Sequence, residues 1–162
     1  MTETFSYTVN DGNGGSATSS LKVTVTGTND GPVASADAAA VQEESVLSTS
    51  GNVLGNDSDV DANDQLSVTD AGVRHGTYGS LTLSADGRYI YSLNNAATNV
   101  QSLAAGQQVT DTFAYTVNDG SGGTASSSLS VTVTGTNDAP VVAILIPDQT
   151  ARAKKGFVMD LP

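Results

Sequence analysis

Residues 4–33 read TFSYTVNDGNGGSATSSLKVTVTGTNDGPV, and residues 112–141 read TFAYTVNDGSGGTASSSLSVTVTGTNDAPV. The first copy differs from the second only at positions 6, 13, 16, 18, 22 and 31, so the chain contains an internal repeat with a period of 108 residues. That period is the size of one ordinary domain. We therefore divide the chain into the C-terminal hairpin of a preceding repeat (1–32), a complete repeat (33–140) and the opening strands of a following domain (141–162).

Alternation of apolar and polar residues predicts the strands of the complete repeat. Asp86-Gly87 separates two alternating runs as a tight hairpin turn, and the glycine-rich stretch 118–123 separates the last two. One helical turn is predicted over 100–103. About seven strands result, which predicts an all-β, antiparallel Greek-key sandwich of the immunoglobulin or cadherin kind. The predicted strands are two segments near 33–42 and 45–54 and the runs Leu66/Val68, Leu81/Leu83, Tyr89/Tyr91/Leu93, Phe113/Tyr115/Val117 and Leu129/Val131/Val133.

The charge and residue composition restrict the classes of partner that this chain could bind. With 17 acidic and 6 basic residues in 162, the formal charge is -11, which disfavours nucleic acid and anionic membranes as partners and favours cations. Cysteine is absent, so disulfides cannot hold the fold together and a metal is the natural substitute. We find no run of 18 apolar residues and no signal-peptide pattern at the N-terminus, and therefore expect neither a membrane span nor an N-terminal export signal.

The acidic loop 56–64, NDSDVDAND, carries four carboxylates and two amides without a basic residue. Carboxylate and amide oxygens at this spacing suit the shell of roughly 6–8 oxygens that calcium takes. The loop is not an EF-hand, because Ala62 and Val68 stand where that motif needs Gly and Glu. A solvated acidic turn is the alternative interpretation. The calcium ligands predicted here are Asp57, Asp59, Asp61 and Asp64.

The stretch from Gly76 to Pro140 carries a family resemblance. With GTYGSLTLSADGRYIYSLNN, VQSLAAGQQVTDTFAYTVNDGSGG and VTVTGTNDAP, it resembles the VCBS repeat of very large bacterial surface and secreted proteins, many of them RTX-type adhesins. The resemblance implies a calcium-stiffened extracellular sandwich that takes part in adhesion and biofilm formation. The RTX nonapeptide GGxGxDxUx is absent, so no β-roll is expected. The last residues, IPDQTARAKKGFVMDLP, resemble the start of a dystroglycan-type cadherin-like domain.

The two domain junctions, GTND at 27–30 and 135–138, resemble cadherin linkers. The resemblance implies that they share calcium with an acidic loop about thirty residues into the following domain. Turn formation alone also explains an Asn-Asp-x-Pro sequence. Two glutamates near the start of the complete repeat could add carboxylates or simply protect a strand edge. The further candidate ligands are Asn29, Asp30, Asn137, Asp138, Glu43 and Glu44.

Catalysis is not expected. His75 is the only histidine and there is no cysteine, so neither a zinc site nor a nucleophile triad can be assembled. Adjacent strand residues such as Glu43 and Glu44 point to opposite faces and cannot converge on a glycosidic bond. We therefore predict a non-enzymatic, calcium-binding extender of a bacterial surface adhesin, whose partners are neighbouring repeats. The alternative is a carbohydrate- or protein-binding accessory module of a secreted polysaccharide-degrading enzyme, against which the absence of Trp counts.

The two ends of the chain predict self-association. A lone two-stranded hairpin is marginal in water, and the N-terminal copy can present the same inward face as the hairpin that closes the complete repeat. We therefore predict that it frays or exchanges with its twin, within a chain or between chains. The apolar run 141–146 is also predicted to seek an open sheet edge.

Overall fold

The computed structural model of this protein describes residues 1–140. The predictions for 141–162, an opening strand of a following cadherin-like domain and an edge-seeking apolar run, lie outside the described residues. No helix of the described chain is long and apolar enough to cross a membrane. The elements are β1 (Thr2–Asn10), β2 (Ser16–Thr24), β3 (Asp37–Gln42), β4 (Ser48–Asn52), β5 (Ser67–Val68), β6 (Gly72–His75), β7 (Gly79–Leu83), β8 (Arg88–Leu93), α1 (Thr98–Gln101), β9 (Gln108–Asn118) and β10 (Thr124–Thr134).

Strands β3 to β10 form two four-stranded sheets, ordered β3-β10-β9-β5 and β4-β8-β7-β6. In the second sheet β4 lies beside β8, the last of three hairpin-connected strands, which is the order of a Greek key. The prediction of an all-β sandwich is confirmed. The sandwich has eight strands, because Gly72–His75 pairs with β7 although Val73 is its only large apolar residue. One pair is not antiparallel: β3 runs parallel to β10, with Asp37 opposite Leu129.

The turns follow the sequence prediction closely. The hairpin at Asp86-Gly87 joins β7 to β8, and Gly87 takes a positive φ of 81° that suits glycine. The stretch 118–123 joins β9 to β10. The helical turn starts at Thr98, two residues earlier than predicted, and its Val100 is fully buried. The turn residues in the sequence therefore determine the connection between β7 and β8 and the connection between β9 and β10.

The core lies between the two sheets. The inward residues of the closing hairpin, β9 and β10, face those of β7 and β8, and the rings of Tyr91 and Phe113 approach to 6.0 Å between centroids at 58°. Fully burying one such apolar side chain contributes about 1.5–3 kcal/mol. The core residues of the closing hairpin are Phe113, Tyr115, Val117, Leu129, Val131 and Val133, each at most 6% exposed.

A buried carboxylate joins the two sheets. Asp111 on β9 is 3% exposed and accepts the backbone N–H groups of Thr77, Tyr78 and Gly79 at 2.7, 3.1 and 3.2 Å. Tyr91 on β8 donates its hydroxyl to the same carboxylate at 2.8 Å. Burial and the neighbouring Asp111 raise the pKa of Tyr91. The loop that precedes β7 is therefore held by one acceptor that the sequence analysis did not single out.

Strands β1 and β2 form a separate two-stranded sheet, the N-terminal hairpin. Every residue from 1 to 31 is exposed, in contrast to the closing hairpin. The apolar side chains on one face of the hairpin are between 38% and 58% exposed. They are Phe5, Tyr7, Val9, Leu21, Val23 and Val25.

Candidate metal centre

The acidic loop 56–64 is folded by its own side chains and backbone. Asp59 Oδ1 accepts the backbone N–H of Asp61 at 2.9 Å, and the carbonyl oxygen of Asp61 accepts the N–H of Asp64 at 3.2 Å. Aspartate favours such local bonds to the backbone two residues on. Because the loop folds back in this way, Asp59 and Asp64 become half-buried and face inward.

A third carboxylate comes from the turn between β9 and β10. Asp119 is 1% exposed, and its Oδ1 accepts the backbone N–H groups of Ser121, Gly122 and Gly123 at 2.7, 2.9 and 3.0 Å. The turn depends on glycine here, because a Cβ on Gly123 would collide with Asp119 Oδ2. The register of the hairpin thus aims the carboxylate toward the acidic loop.

Asp59, Asp64 and Asp119 form one cluster, in which an oxygen from each lies within 4.8 Å of the others. Asp59 Oδ2 and Asp64 Oδ2 are buried and have no hydrogen-bond partner among the residues that the structure describes. Two like charges about 5 Å apart repel by about 3 kcal/mol at an effective dielectric of 20, before salt screening. The ion pairs among residues 1–140, Arg74–Asp70 and Arg88–Asp86, do not involve the cluster. Hard oxygens, buried and unpaired, fit a cation such as calcium.

The first junction packs against this cluster. Asn29 donates its amide to Asp119 Oδ2 at 2.9 Å, and the backbone N–H of Asp30 donates to Asp61 Oδ2 at 2.8 Å. Ser121 donates its hydroxyl to Asp64 Oδ1 at 2.9 Å, which ties the hairpin turn to the acidic loop. A cleft of about 340 Å³ lies between these segments. The structure therefore brings the junction 27–30 and the acidic loop together.

Hydrogen bonding favours the ionised form of Asp119. The amide of Asn29 is the largest cause that lowers its pKa, and the backbone N–H groups of the turn lower it further against the effect of burial. The equivalent Asp11 in the N-terminal hairpin also has a lowered pKa, through the backbone N–H groups of Asn13 and Gly15. The junction contact is thus what distinguishes Asp119 from its twin.

Asp57 lies apart from the cluster. Its Oδ1 accepts the backbone N–H of Ser35 at 2.7 Å, while its Oδ2 is buried and none of the described residues bonds to it. Nearby, Asp37 accepts the hydroxyl of Tyr115 at 2.7 Å. Burial is the main cause that raises the pKa of Asp37, and the charge of Asp57 raises it further. Asp59 and Asp64 thus join the cluster and Asp61 contacts the first junction, whereas Asp57 lies beside Ser35 and Asp37 at the start of β3.

The two predicted glutamates lie at the other end of the closing hairpin, beside the end of β10. Glu43 is fully buried: its Oε1 accepts the amide of Gln101 at 3.1 Å, and its Oε2 accepts the backbone N–H of Thr136 at 3.0 Å. Thr136 Oγ1 is buried and has no hydrogen-bond partner within residues 1–140. Glu44 is exposed at a positive φ of 60°. Glu43 is therefore not a solvated edge charge but a clamp on the second junction.

The remaining candidates, Asn137 and Asp138, are exposed. Asn137 donates its amide to the carbonyl of Asp138 at 3.2 Å. The two junctions thus differ in the contacts that the structure describes. At 27–30 the Asn-Asp half is held, whereas at 135–138 the Gly-Thr half is held, by a backbone N–H bond from Gly135 to Gln107 and by Glu43.

Sequence reasoning missed Asp119. The glycines of 118–123 predict the turn, and the sequence pattern assigns no role to the aspartate within it. The available signal was the identical Asn-Asp-Gly start of the turn in both copies, at 10–12 and 118–120. Its proximity to the acidic loop depends on tertiary packing and could not be read from spacing.

Residues 29–135 match the family described as the bacterial cadherin-like domain. The matched segment covers about two thirds of the 162 residues and starts at the junction asparagine that contacts Asp119. It includes the acidic loop, the glycine-rich turn and Glu43. Among curated proteins, none matches the chain.

Proposed function

Because the chain belongs to the bacterial cadherin-like domain family, a generally non-enzymatic structural class, we propose that it is a calcium-binding extender module of a large extracellular bacterial adhesin. The resemblance of Gly76–Pro140 to VCBS repeats supports the narrower assignment. In this role the module projects an adhesive tip from the cell and contributes to attachment and biofilm formation. Its partners are the neighbouring repeats, and the reach of such a chain grows with the number of repeats.

The observation that carries the proposal is the cluster of Asp59, Asp64 and Asp119, beside whose buried oxygens the described part of the chain places no cationic side chain. These three residues would hold the ion, and the nearby Asp61 and Asn29 could complete its shell with further hard oxygens. When bound, calcium would cancel the repulsion among the carboxylates. The acidic loop would then no longer oppose the close approach of the hairpin turn.

The residues of the chain transmit this ordering to the junction. Asp61 holds the backbone of Asp30, and Asp119 holds the side chain of Asn29, so the linker is fixed to the same two segments that surround the ion. A stiffer acidic loop therefore stiffens the entry into the module. A mechanical role follows, because the orientation of successive repeats is set at such junctions.

A second calcium site at the other junction is part of the proposal. Glu43 places a buried carboxylate beside Thr136, whose buried hydroxyl oxygen has no hydrogen-bond partner in the described chain. The exposed Glu44, Asn137 and Asp138 follow close by in the sequence. Oxygen donors of these types suit calcium, and a following repeat could supply the rest.

The experiment is a calcium titration of thermal unfolding. With calcium at ~100 times a dissociation constant of about 0.1 mM, the unfolding free energy should rise by roughly 2.7 kcal/mol. That corresponds to a rise in Tm of roughly 10–20 °C for a domain of this size. Magnesium should do much less, because it dehydrates reluctantly. Equal Tm values in chelator and in 10 mM calcium would refute the metal site.

Matched variants locate the site. Asp64→Asn removes one charge, and its Oδ1 has a single hydrogen-bond partner, Ser121, so the metal-free fold should survive while calcium affinity falls. Asp86→Asn makes the same chemical change at an exposed turn and should leave the calcium response unaltered. If both variants respond to calcium like the wild type, the ion does not bind at this cluster.

A further inference from the structure

The two hairpins of the chain pair in the same register. In the N-terminal hairpin Phe5 lies opposite Leu21, and in the closing hairpin Phe113 lies opposite Leu129, each pair offset by the repeat period. The same holds for all nine residue pairs of the N-terminal hairpin. The N-terminal hairpin therefore has the backbone pairing of the closing hairpin, but within residues 1–140 no other segment covers its apolar face.

The sequence differences within the stretch 112–141 avoid the apolar core. The residues of this stretch that differ from the first copy are all exposed or partly exposed, whereas Asp111, which precedes the stretch and has Glu3 as its counterpart, is buried. Every core residue of the closing hairpin is unchanged in the N-terminal one. The residues that differ in the second copy are Ala114, Ser121, Thr124, Ser126, Ser130 and Ala139.

What covers this face is visible in the closing hairpin. There the same six side chains pack on the sheet β4-β8-β7-β6, and β3 pairs with the outer edge of β10. We propose that the N-terminal hairpin is an alternative closing hairpin, whose apolar face docks on the half-sandwich formed by β3 to β8 of the same chain. The closing hairpin holds that position in the ground state.

The connection is long enough for this exchange. In the exchanged form Thr26 would lie level with Gln42, and the chain would return to Asp37, five residue steps or about 17 Å along β3. Residues 27–36 extend to about 33 Å at ~3.3 Å per residue. The return path therefore needs about half of the available reach. Exchange would release the contacts of Asn29 and Asp30 and the pairing of Val33 with Ser58, and these losses favour the resident arrangement.

One position sets the preference between the two hairpins. Asp111 of the closing hairpin accepts four hydrogen bonds, whereas the residue at the same offset in the N-terminal hairpin is Glu3. The acceptor distances of 2.7 to 3.2 Å at Asp111 leave no room for an extra methylene without a shift. The resident hairpin thus fits the half-sandwich better than its twin.

Four versions of the full chain test the proposal by urea unfolding: the wild type and three variants. Leu129→Asp disables the closing hairpin, Leu21→Asp disables the N-terminal one, and the third variant combines both. Leu21→Asp alone should leave the transition unchanged, because the resident hairpin fills the position. Leu129→Asp should keep a cooperative transition at a lower midpoint, and the double variant should lose it. If Leu129→Asp alone abolishes the transition, or if the double variant keeps it, the proposal fails.

Disulfide trapping identifies the occupant directly, because the chain has no cysteine. Ser130 lies opposite Ala38 in the resident form, and Lys22 would take that place after exchange. In the Leu129→Asp background, Lys22→Cys with Ala38→Cys should form a monomeric disulfide, and Glu3→Asp should increase its yield several-fold. Ser130→Cys with Ala38→Cys in the wild-type background is the positive control. Absence of the disulfide between positions 22 and 38 overturns the proposal, and its formation only in dimers overturns the same-chain assignment.

Discussion

Replacing Asp111 by Asn tests whether one carboxylate holds the loop before β7 onto the opposite sheet. The carboxylate accepts three backbone N–H groups and the hydroxyl of Tyr91. An amide of the same shape keeps one oxygen. If that oxygen replaces Oδ2, the three bonds from Tyr78, Gly79 and Tyr91 survive, and the new NH₂ group faces the N–H of Thr77.

The cost follows from these contacts. One buried donor without an acceptor costs about 1–3 kcal/mol, and three bonds that lose the assistance of a charge cost roughly 0.5–1 kcal/mol each. We therefore expect Asp111→Asn to lower the unfolding free energy by about 3–5 kcal/mol, a large share of the 5–15 kcal/mol typical of a domain. At about 4 °C or more per kcal/mol, the Tm should fall by at least ~12 °C.

Urea unfolding followed by circular dichroism measures this loss. Asp86→Asn is the matched control, because Asp86 is exposed and its ion pair with Arg88 lies at the surface. The control should change the unfolding free energy by less than about 1 kcal/mol. If Asp111→Asn costs no more than the control, the hydrogen bonds to Asp111 do not hold the two sheets together.

Two further predictions concern single contacts. The pKa of Asp119 is lowered on folding, so its carboxylate stabilises the fold above the unfolded pKa of 3.8, and this stability is lost as the pH falls through the folded pKa. Asp119→Asn should therefore reduce the loss of unfolding free energy between about pH 6 and pH 2, measured by urea titrations at each pH. The same acid loss in the variant as in the wild type would contradict this. Gly79→Ala would place a Cβ against the carbonyl oxygen of Ser92 and should lower the unfolding free energy by about 1–3 kcal/mol. Gly31→Ala, which copies Ala139 of the second junction, should leave it nearly unchanged in the same assay. Equal effects of the two variants would show that the close approach at Gly79 is relaxed without loss of stability.

The strands that the sequence predicted best are those with one buried face. In β8, Tyr89, Tyr91 and Leu93 alternate with exposed residues, so the period-2 pattern records the burial directly. The sequence pattern did not predict β6, because Val73 is the only large apolar residue in this strand and its side chain is exposed. The parallel pairing of β3 with β10 was not predicted either, because apolar–polar alternation indicates which face of a strand is buried and carries no information on strand direction.

The candidate site divides in the same way. The acidic loop was predictable because its candidate oxygen ligands lie within nine residues. Local hydrogen bonds, such as that from the backbone N–H of Asp61 to the Asp59 carboxylate, fold it. Asp119 is 55 residues beyond Asp64 and reaches the loop only through the packing of the closing hairpin. Glu43 was predicted as a metal ligand. Its burial against Thr136 could not be predicted, because it depends on β3 running parallel to β10, so that both strands end at the same end of the sheet. Long-range register therefore decides what local chemistry leaves open.

The GTND sequence shows how one short segment can serve two modules. In its first copy the Asn-Asp half is held by carboxylates of the module that follows, Asp119 and Asp61. In its second copy the Gly-Thr half is held by the module that precedes, through Gln107 and Glu43. The two sets of contacts use different halves of the tetrapeptide and do not compete. A linker of this sequence between two complete repeats would therefore have an anchor for each half, so under the proposed role as an extender we expect these four residues to orient one module relative to the next.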